Sequence, residues 1–191
     1  MNENMIPETE KDNFVQYRAA VKEKLGKKRV ALSFDDGPSP ELTPKVLDLL
    51  KQYNAHATFY IVGSHVEGNE EIIRRIVDEG HELGNHSYSH PLLPKKSADE
   101  VYKQVHDTSD LIAKATGGLR PMSLRPPYGG YNKMVADQAG IAIVNWSIDS
   151  LDWQYRDAAK TIAHIKENTH NGGILLMHDI HAESVEALPA V

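Results

Sequence analysis

The apolar residues of this chain fall into two kinds of segment. One kind is a short run rich in β-branched and aromatic residues, such as VALSF and ATFYIV, which is typical of a buried strand. The other is a longer stretch in which apolar residues recur at helical spacing between polar ones. The short runs predict strands over residues 29–34, 57–62, 81–83, 122–124, 141–145 and 174–177.

The longer stretches carry the start and stop signals of amphipathic helices. Thr43-Pro44 opens one helix, since proline is well tolerated in the first turn. Asn69 is placed to cap a second helix that ends at Gly80. The sequence SADE at residues 97–100 has the spacing of a capping box and begins a third helix that runs to Gly117. Further helices are predicted over residues 12–25, 132–139 and 157–168.

Strands and helices alternate along the whole chain, without an internal repeat or a low-complexity linker. Alternation of this kind indicates a sheet of parallel strands with helices packed on its outside. Periodicity alone is equally consistent with a closed barrel and with an open doubly wound sheet.

Composition narrows the class of protein. The 191 residues are enough for one domain with a substantial core, and the contents of 40% hydrophobic and 25% charged residues are ordinary for a globular protein. A net charge of −6 argues against a nucleic-acid surface, and no apolar run reaches the roughly 20 residues that span a bilayer. The polar, acidic start of the chain does not resemble a secretory signal. Because cysteine is absent, a metal ion would be bound by histidines and carboxylates, and the chain has ten histidines.

Polar clusters follow the predicted strands at their carboxyl ends. In a parallel α/β barrel these ends meet on one face, where active sites are built, so the clusters predict a single site. The five clusters are DD at 35–36, GNHSYSH at 84–90, RPPYGG at 125–130, DSLDW at 149–153 and HDIH at 178–181.

Two histidines and a carboxylate from these clusters are suited to a metal ion. His86 and His90 are spaced i, i+4, so one helical turn would place both imidazoles on the same side. Together with a carboxylate from another strand end they form a set that is used by hydrolytic zinc sites and also by non-haem ferrous iron. The ligands alone leave both metals open.

The second carboxylate favours a hydrolase. Asp35 and Asp36 are adjacent, so one can bind metal while the other takes a proton from water. Arg125 is a candidate for keeping that base ionised. His178, oriented by Asp152, is a candidate for protonating the leaving group. An oxygenase would need none of these acid–base groups.

The motifs SFDDGP, HSYSH, RPPY, DSLDW and LMHDIH, in this order, resemble those of the polysaccharide deacetylases with a NodB homology domain, carbohydrate esterase family 4. The resemblance runs from about Val30 to the end of the chain and is closest to peptidoglycan N-acetylglucosamine deacetylases. It implies a distorted (β/α) barrel with parallel strands. It also implies a divalent metal, usually Zn²⁺, for which Co²⁺ or another divalent ion can substitute.

The family pattern assigns roles to ten positions of this chain. By role they are the general base Asp35, the metal ligands Asp36, His86 and His90, the base-orienting Arg125, the oxyanion-binding backbone N–H of Tyr128, the apolar walls Trp153 and Leu176, and the general acid His178 with its partner Asp152.

The resemblance also sets expectations for the domain and for other residues. Residues 1–28 are expected to form a helical extension and residues 29–191 the catalytic domain, which lacks the last helix and strand that relatives usually have. Ser33 stands where many family members have threonine, a change that is expected to be harmless. His81 is expected to support the metal loop, His181 to line the site without catalysing, and Trp146 to lie in the core.

The implied activity is hydrolysis of N-acetyl groups on N-acetylglucosamine residues of a polysaccharide, with peptidoglycan favoured. The alternatives are a chitin-oligosaccharide deacetylase, an acetylxylan esterase of the same fold and a non-catalytic carbohydrate-binding relative. The expected partner is the polysaccharide alone, with no nucleic acid or lipid, bound by a monomer. By family inference the protein acts at the cell envelope or outside the cell.

Overall fold

A computed structural model describes residues 28–191 of the chain, so the helix predicted for residues 12–25 lies outside the described part. Within residues 28–191 there are seven strands, and each predicted strand is present, within a few residues of its predicted bounds. In chain order the strands are β1 (Val30–Asp35), β2 (Ala57–Ile61), β3 (Glu82–Asn85), β4 (Ser123–Leu124), β5 (Ala142–Ile143), β6 (Ile148–Asp149) and β7 (Gly173–His178).

The predicted helices of this region are present, together with two that the pattern does not predict. One is a single turn between two residues with left-handed backbone, and the other has fewer than two turns, so neither carries a readable period. In chain order the helices are α1 (Thr43–Gln52), α2 (Glu70–Asp78), α3 (Ala98–Thr116), α4 (Lys133–Ala139), α5 (Asp152–Tyr155), α6 (Ala158–Asn168) and α7 (Ala182–Ala187). None of the helices in residues 28–191 is long and apolar enough to cross a bilayer.

Helix α3 begins and ends as its sequence predicts. The Ser97 hydroxyl accepts the Glu100 N–H, the Glu100 carboxylate accepts the Ser97 N–H, and Gly117 ends the helix in the left-handed conformation with φ of 73°. The predicted cap of α2 is wrong in detail. Asn69 occupies the cap position, but its side-chain amide donates to the His65 carbonyl at 2.9 Å instead of bonding to the helix.

The strands form one parallel sheet in the order β5-β4-β3-β2-β1-β7-β6, which curves into a half-barrel and confirms the barrel prediction. The two edges of the sheet come close together because the chain crosses between them in a few residues. The Val144 N–H donates to Leu124 of β4, and the Ser147 N–H donates to Ile174 of β7. Three residues span at most about 11 Å, so the sheet must curl almost into a closed barrel.

This crossing corrects one part of the sequence interpretation. The motif DSLDW was assigned to the end of the strand at residues 141–145, but Asp149 lies on a separate strand, β6, at the opposite edge of the sheet. The short segment between β5 and β6 gives no turn signal, because the chain continues extended across the opening of the barrel.

Alternation along the strands separates an apolar outside from a polar inside. Phe34 of β1 and Phe59 of β2 stack with ring centroids 5.2 Å apart and belong to the large core cluster beneath the helices. The residues that follow them, Asp35 and Tyr60, are register partners and point to the other face. The barrel interior therefore receives the polar side chains.

The capping box of α3 supplies a stability test. Replacing Ser97 by alanine should lower the free energy of unfolding by about 1 kcal/mol, because the N–H of Glu100 loses its acceptor. Asn69→Ala is the matched control, since this side chain makes no cap bond to its helix and should cost less. Urea unfolding of both variants measures the difference. An Asn69→Ala variant that is destabilised as much as Ser97→Ala would contradict this account.

Candidate active site

A cavity of about 370 Å³ opens at the carboxyl ends of the strands. Eight of the ten predicted site residues line it, and the other two, Arg125 and Asp152, lie buried behind it. Trp146 and Asp149 complete the wall. The eight are Asp35, Asp36, His86, His90, Tyr128, Trp153, Leu176 and His178.

The end of β1 brings both adjacent carboxylates to this cavity. Asp35 is the last residue of the strand and points into the barrel, where it is 3% exposed. On a regular strand the next side chain would point to the opposite face. Asp36 instead has left-handed backbone, with φ of 73°, and this turn directs its carboxylate to the same cavity.

His86 and His90 come together on a loop and not on a helical turn, so that part of the sequence interpretation is wrong. Ser87 and His90 have φ of 65° and 56°, values that a right-handed helix does not allow. The Asn85 side chain accepts the Ser87 N–H at 2.8 Å, and the Ser87 hydroxyl accepts the His90 N–H at 3.1 Å. Gln104 of α3 accepts two more backbone N–H groups of this loop.

Asp36, His86 and His90 form a possible metal site. One ligand atom from each lies within 4.8 Å of the other two. Asp36 Oδ1 is 3.4 Å from Nε2 of both imidazoles. Two atoms that are each about 2.1 Å from one tetrahedral zinc ion are about 3.4 Å apart, so the spacing fits zinc.

The protonation of these groups also fits a cation. His86 Nδ1 lies 2.6 Å from the Arg125 carbonyl, which can only accept a hydrogen bond, so Nδ1 carries a proton and Nε2 is the nitrogen left for a metal ion. Burial lowers the pKa of His86, but the Asp35 and Asp36 carboxylates outweigh it and raise it, so Nε2 would release its proton when a metal ion binds. Asp36 Oδ1 is buried and has no hydrogen-bond partner among the described residues. Burial raises the pKa of Asp36, but the imidazole of His86 and the other nearby histidines outweigh it and lower the pKa to about 2.

Asp35 is held by a buried arginine. Arg125 Nη1 donates to Asp35 Oδ1 at 2.7 Å and to the Ser33 hydroxyl at 2.8 Å, and Nε donates to the Val144 carbonyl at 3.2 Å. Asp35 Oδ2 lies 3.6 Å from His86 Nε2, on the side of the candidate metal ligands. One oxygen of Asp35 is therefore tied to the arginine and the other faces the cavity.

His178 is oriented by the carboxylate of Asp152, the first residue of α5. Its Nδ1 is 2.7 Å from Asp152 Oδ1, which leaves Nε2 near the cavity, 4.0 Å from Asp36 Oδ2. Asp152 Oδ2 also accepts the backbone N–H of His178 and the hydroxyl of Ser184. Burial lowers the pKa of His178, but the Asp152 carboxylate outweighs burial and raises it, so the imidazolium is favoured.

Three aromatic residues shape the rest of the cavity. Tyr128 has φ of 60° and packs its ring edge-on against His90, with centroids 4.7 Å apart. Trp153 is half exposed at the rim, whereas Leu176 is buried. The prediction of Trp146 as a core residue is wrong, because this side chain lies on the segment that crosses the barrel opening and lines the cavity.

His81 and His181, the two other histidines near the motifs, do not line the cavity. His81 accepts the Ala57 N–H at the start of β2 and contacts the Phe59 ring, so it supports that strand and not the metal loop. His181 lies 5.7 Å from the His178 ring at the start of α7 and is absent from the cavity wall, which contradicts the expectation that it lines the site.

Sequence reasoning missed the role of Asp179 although the motif LMHDIH contains it. Asp179 is fully buried, accepts a hydrogen bond from the Thr43 hydroxyl at 2.5 Å, and packs against Gly37. A Cβ atom at Gly37 would lie 2.4 Å from Asp179 Oδ2, so only glycine lets this carboxyl approach the turn that follows Asp36. The unusual pairing of a buried carboxyl with a glycine had no recognisable signal in the sequence.

Asp179 predicts a pH-dependent stability. Burial raises its pKa from 3.8 to about 7, although the Thr43 hydroxyl opposes this. The folded state therefore binds more protons than the unfolded state between these values, and stability falls as pH rises through them. In metal-free protein, Asp179→Asn should gain stability relative to wild type from about pH 4.5 to about pH 8, by on the order of 3 kcal/mol.

Urea unfolding at both pH values measures this gain. Asp78→Asn on the exposed surface of α2 removes the same charge and is the control, for which the two differences should agree. Equal differences for Asp179→Asn at the two pH values would contradict the assignment.

The chain is similar in sequence to known deacetylases. The model of the polysaccharide deacetylase family matches residues 22–169. The peptidoglycan-N-acetylglucosamine deacetylase PgdA of Listeria monocytogenes is 45% identical over 161 residues, which make up 84% of this chain and 34% of that protein. The chitooligosaccharide deacetylase of a Bradyrhizobium species is 39% identical over 157 residues, or 81% of this chain and 72% of that protein.

The fold agrees with this family. The solved structure of the peptidoglycan deacetylase PdaC from Bacillus subtilis matches with a TM-score of 0.83 at 42% identity, over 85% of this chain and 80% of that one. The chain spans about a third of the length of the first curated relatives that it matches. The family model covers most of the chain, and the barrel is shared with a solved relative, so the resemblance drawn from the five motifs is confirmed: the chain belongs to the polysaccharide deacetylase family.

Proposed function

We propose that this domain is a metal-dependent deacetylase that hydrolyses the N-acetyl groups of N-acetylglucosamine residues in peptidoglycan. One observation carries the proposal. A carboxylate–arginine pair, a histidine–carboxylate pair and a three-residue metal site meet at one cavity, which is what hydrolysis of an amide needs. The names of the peptidoglycan deacetylases of Listeria and Bacillus among the relatives support this choice of substrate, and for the same reason we propose that the domain acts at the cell envelope.

The proposed metal ligands are Asp36 Oδ1 and Nε2 of His86 and His90, and we take the ion to be Zn²⁺. When bound, such an ion polarises a carbonyl group and lowers the pKa of a bound water molecule to about 7. The residues around it orient the ligands. Arg125 contributes through its backbone carbonyl, which holds the His86 ring with Nε2 directed at Asp36.

Asp35 is the proposed general base. Arg125 Nη1 donates to one of its oxygens at 2.7 Å, and the other oxygen faces the cavity. Asp35 takes a proton from the water that attacks the acetyl carbonyl carbon. The new carbon–oxygen bond forms as the carbonyl oxygen takes up negative charge, for which the backbone N–H of Tyr128 is the proposed donor.

His178 is the proposed general acid. His178 on β7 is the register partner of Asp35 on β1. The proposed base and acid are therefore neighbours on adjacent strands. The Nε2 proton of His178 passes to the sugar nitrogen as the carbon–nitrogen bond breaks, which releases acetate and a free amine. Trp153 and Leu176 are the proposed walls for the acetyl methyl group.

An acetate-release assay tests the proposal. The purified protein is incubated with Zn²⁺ and, in parallel, with peptidoglycan, N-acetylated chitin oligomers and acetylxylan. We expect acetate from peptidoglycan, its loss on chelation, and its return with added Zn²⁺ or Co²⁺. The name of the Bradyrhizobium relative makes chitin oligomers the second candidate. Release from acetylxylan alone would make the protein an esterase, and release from none of the polymers would overturn the proposal.

The two adjacent aspartates should fail in different ways. Asp35→Asn should keep its metal and its fold, although with lower stability, because the amide oxygen can still accept the hydrogen bond of the buried Arg125. It should lose roughly 10²-fold or more in kcat, because an amide cannot take the proton. Asp36→Asn should lose metal affinity as well, since it removes one of three protein ligands. Metal content and turnover are measured on both variants. Because both substitutions are Asp→Asn, the two variants lose the same charge and differ only in its position.

The division of labour has a clear contrary result. If Asp35→Asn is the variant that is purified without metal, the ligand and the base are exchanged. If Asp35→Asn binds metal and keeps wild-type turnover, Asp35 is not the base.

A further inference from the structure

The guanidinium of Arg125 rests on an aromatic ring that the proposed chemistry does not use. Its Cζ atom lies 4.0 Å from the centroid of the Tyr60 ring. Both residues are buried, with exposures of 0% for Arg125 and 3% for Tyr60. Tyr60 is absent from the cavity wall, so it does not contact a substrate bound there.

Glycine at position 84 makes room for this ring. Gly84 on β3 is the register partner of Tyr60 on β2. A Cβ atom at Gly84 would lie 2.3 Å from Cδ1 and 2.4 Å from Cε1 of Tyr60, closer than any real side chain allows. The ring therefore lies over the backbone of β3, in a space that exists because residue 84 has no side chain.

Hydrogen bonds and the ring restrain the guanidinium in different directions. The bonds from Nη1 to Asp35 and Ser33, and from Nε to Val144, act within the guanidinium plane. Nη2 has no hydrogen-bond partner within residues 28–191, so a rotation about the bonded edge is opposed by packing alone. The face of the Tyr60 ring supplies most of this packing and attracts the cation, because the next aromatic ring, that of Trp146, lies farther away at 5.9 Å.

The hydroxyl group of Tyr60 contributes little to the position of the guanidinium. The Tyr60 hydroxyl accepts a hydrogen bond from the Ser123 hydroxyl at 3.4 Å, at the long limit for such a bond. The ring, and not its oxygen, is the part that touches the arginine.

We propose that Tyr60, seated over Gly84, is a positioning residue that holds the Arg125 guanidinium in plane with the Asp35 carboxylate. The inference rests on the proposed function, in which Asp35 is the base. Without the ring, Arg125 tilts and Nη1 moves away from Asp35, so the base loses its orientation. Because Tyr60 is outside the cavity, its loss changes kcat and leaves KM nearly unchanged.

The first test is a spectroscopic one on metal-free protein. Protons above an aromatic face are shielded, so the Nε–H signal of Arg125, identified by its loss in Arg125→Lys, should lie upfield of other arginines. The shift should remain in Tyr60→Phe, which keeps the ring, and should fall sharply in Tyr60→Leu, where only the more distant Trp146 ring is left. Gly84→Ala should also reduce it, because the added methyl group displaces the ring.

The second test is kinetic. Tyr60→Leu and Gly84→Ala should lower kcat by about 10-fold to 100-fold, the scale expected for a catalytic group misplaced by roughly 1 Å. Tyr60→Phe should keep most of the wild-type kcat, because it retains the ring. Phe59→Leu is the matched control, since it removes a ring from the same strand on the face that packs against Phe34 and His81. It should lower stability and change neither the Arg125 signal nor kcat.

The results separate this inference from the proposed function. An unshifted Arg125 signal in wild type, or the same shift in Tyr60→Leu, overturns the stacking without any activity being needed. A normal kcat in Tyr60→Leu or in Gly84→Ala overturns the positioning role. A wild-type protein that releases no acetate overturns the proposed function, while the signal still tests the stack.

Discussion

The site depends on an arginine that the barrel buries completely. Arg125 and Asp35 pair at 2.7 Å, with side-chain exposures of 0% and 4%. A buried charge is costly unless it is paired and hydrogen-bonded, and a missing partner destabilises a protein strongly. The acceptors of Arg125 come from β1 and from the segment that crosses the barrel opening, at Val144. One side chain therefore ties the end of β4 to β1 and to the crossing segment, and fixes where the carboxylate can lie.

The loops above this ion pair contain non-glycine residues in the left-handed backbone region, which is unfavourable for residues with a side chain. Asp36, Ser87, His90, Tyr128 and Leu151 have positive φ values although none is glycine, and all of them belong to the clusters at the strand ends. Each such residue costs on the order of 1 kcal/mol or more and persists where its surroundings overdetermine it. Parallel strands supply that rigidity, and the strained turns direct side chains from several strands into one cavity.

Much of the architecture was predictable from the sequence. The alternation of short β-branched runs and amphipathic stretches predicted the strands and helices, because burial on one face imposes a period on either element. The capping box and Gly117 marked the ends of α3, since both satisfy local backbone groups. Polar clusters after apolar runs predicted one site, because parallel strands end on one face. The ten positions taken from the family pattern lie in or directly behind the cavity.

Only the tertiary structure decided how distant segments meet. The crossing between β5 and β6 depends on the closure of the barrel, which brings two sheet edges together and turns Trp146 to the cavity. The stack of Arg125 on Tyr60 depends on register between neighbouring strands, and the burial of Asp179 on a glycine far away in the chain. The sequence by itself determined which residues are apolar, which end a strand and which can bind a metal, because these are local properties. Their partners are set by packing, which acts between residues that the sequence keeps far apart.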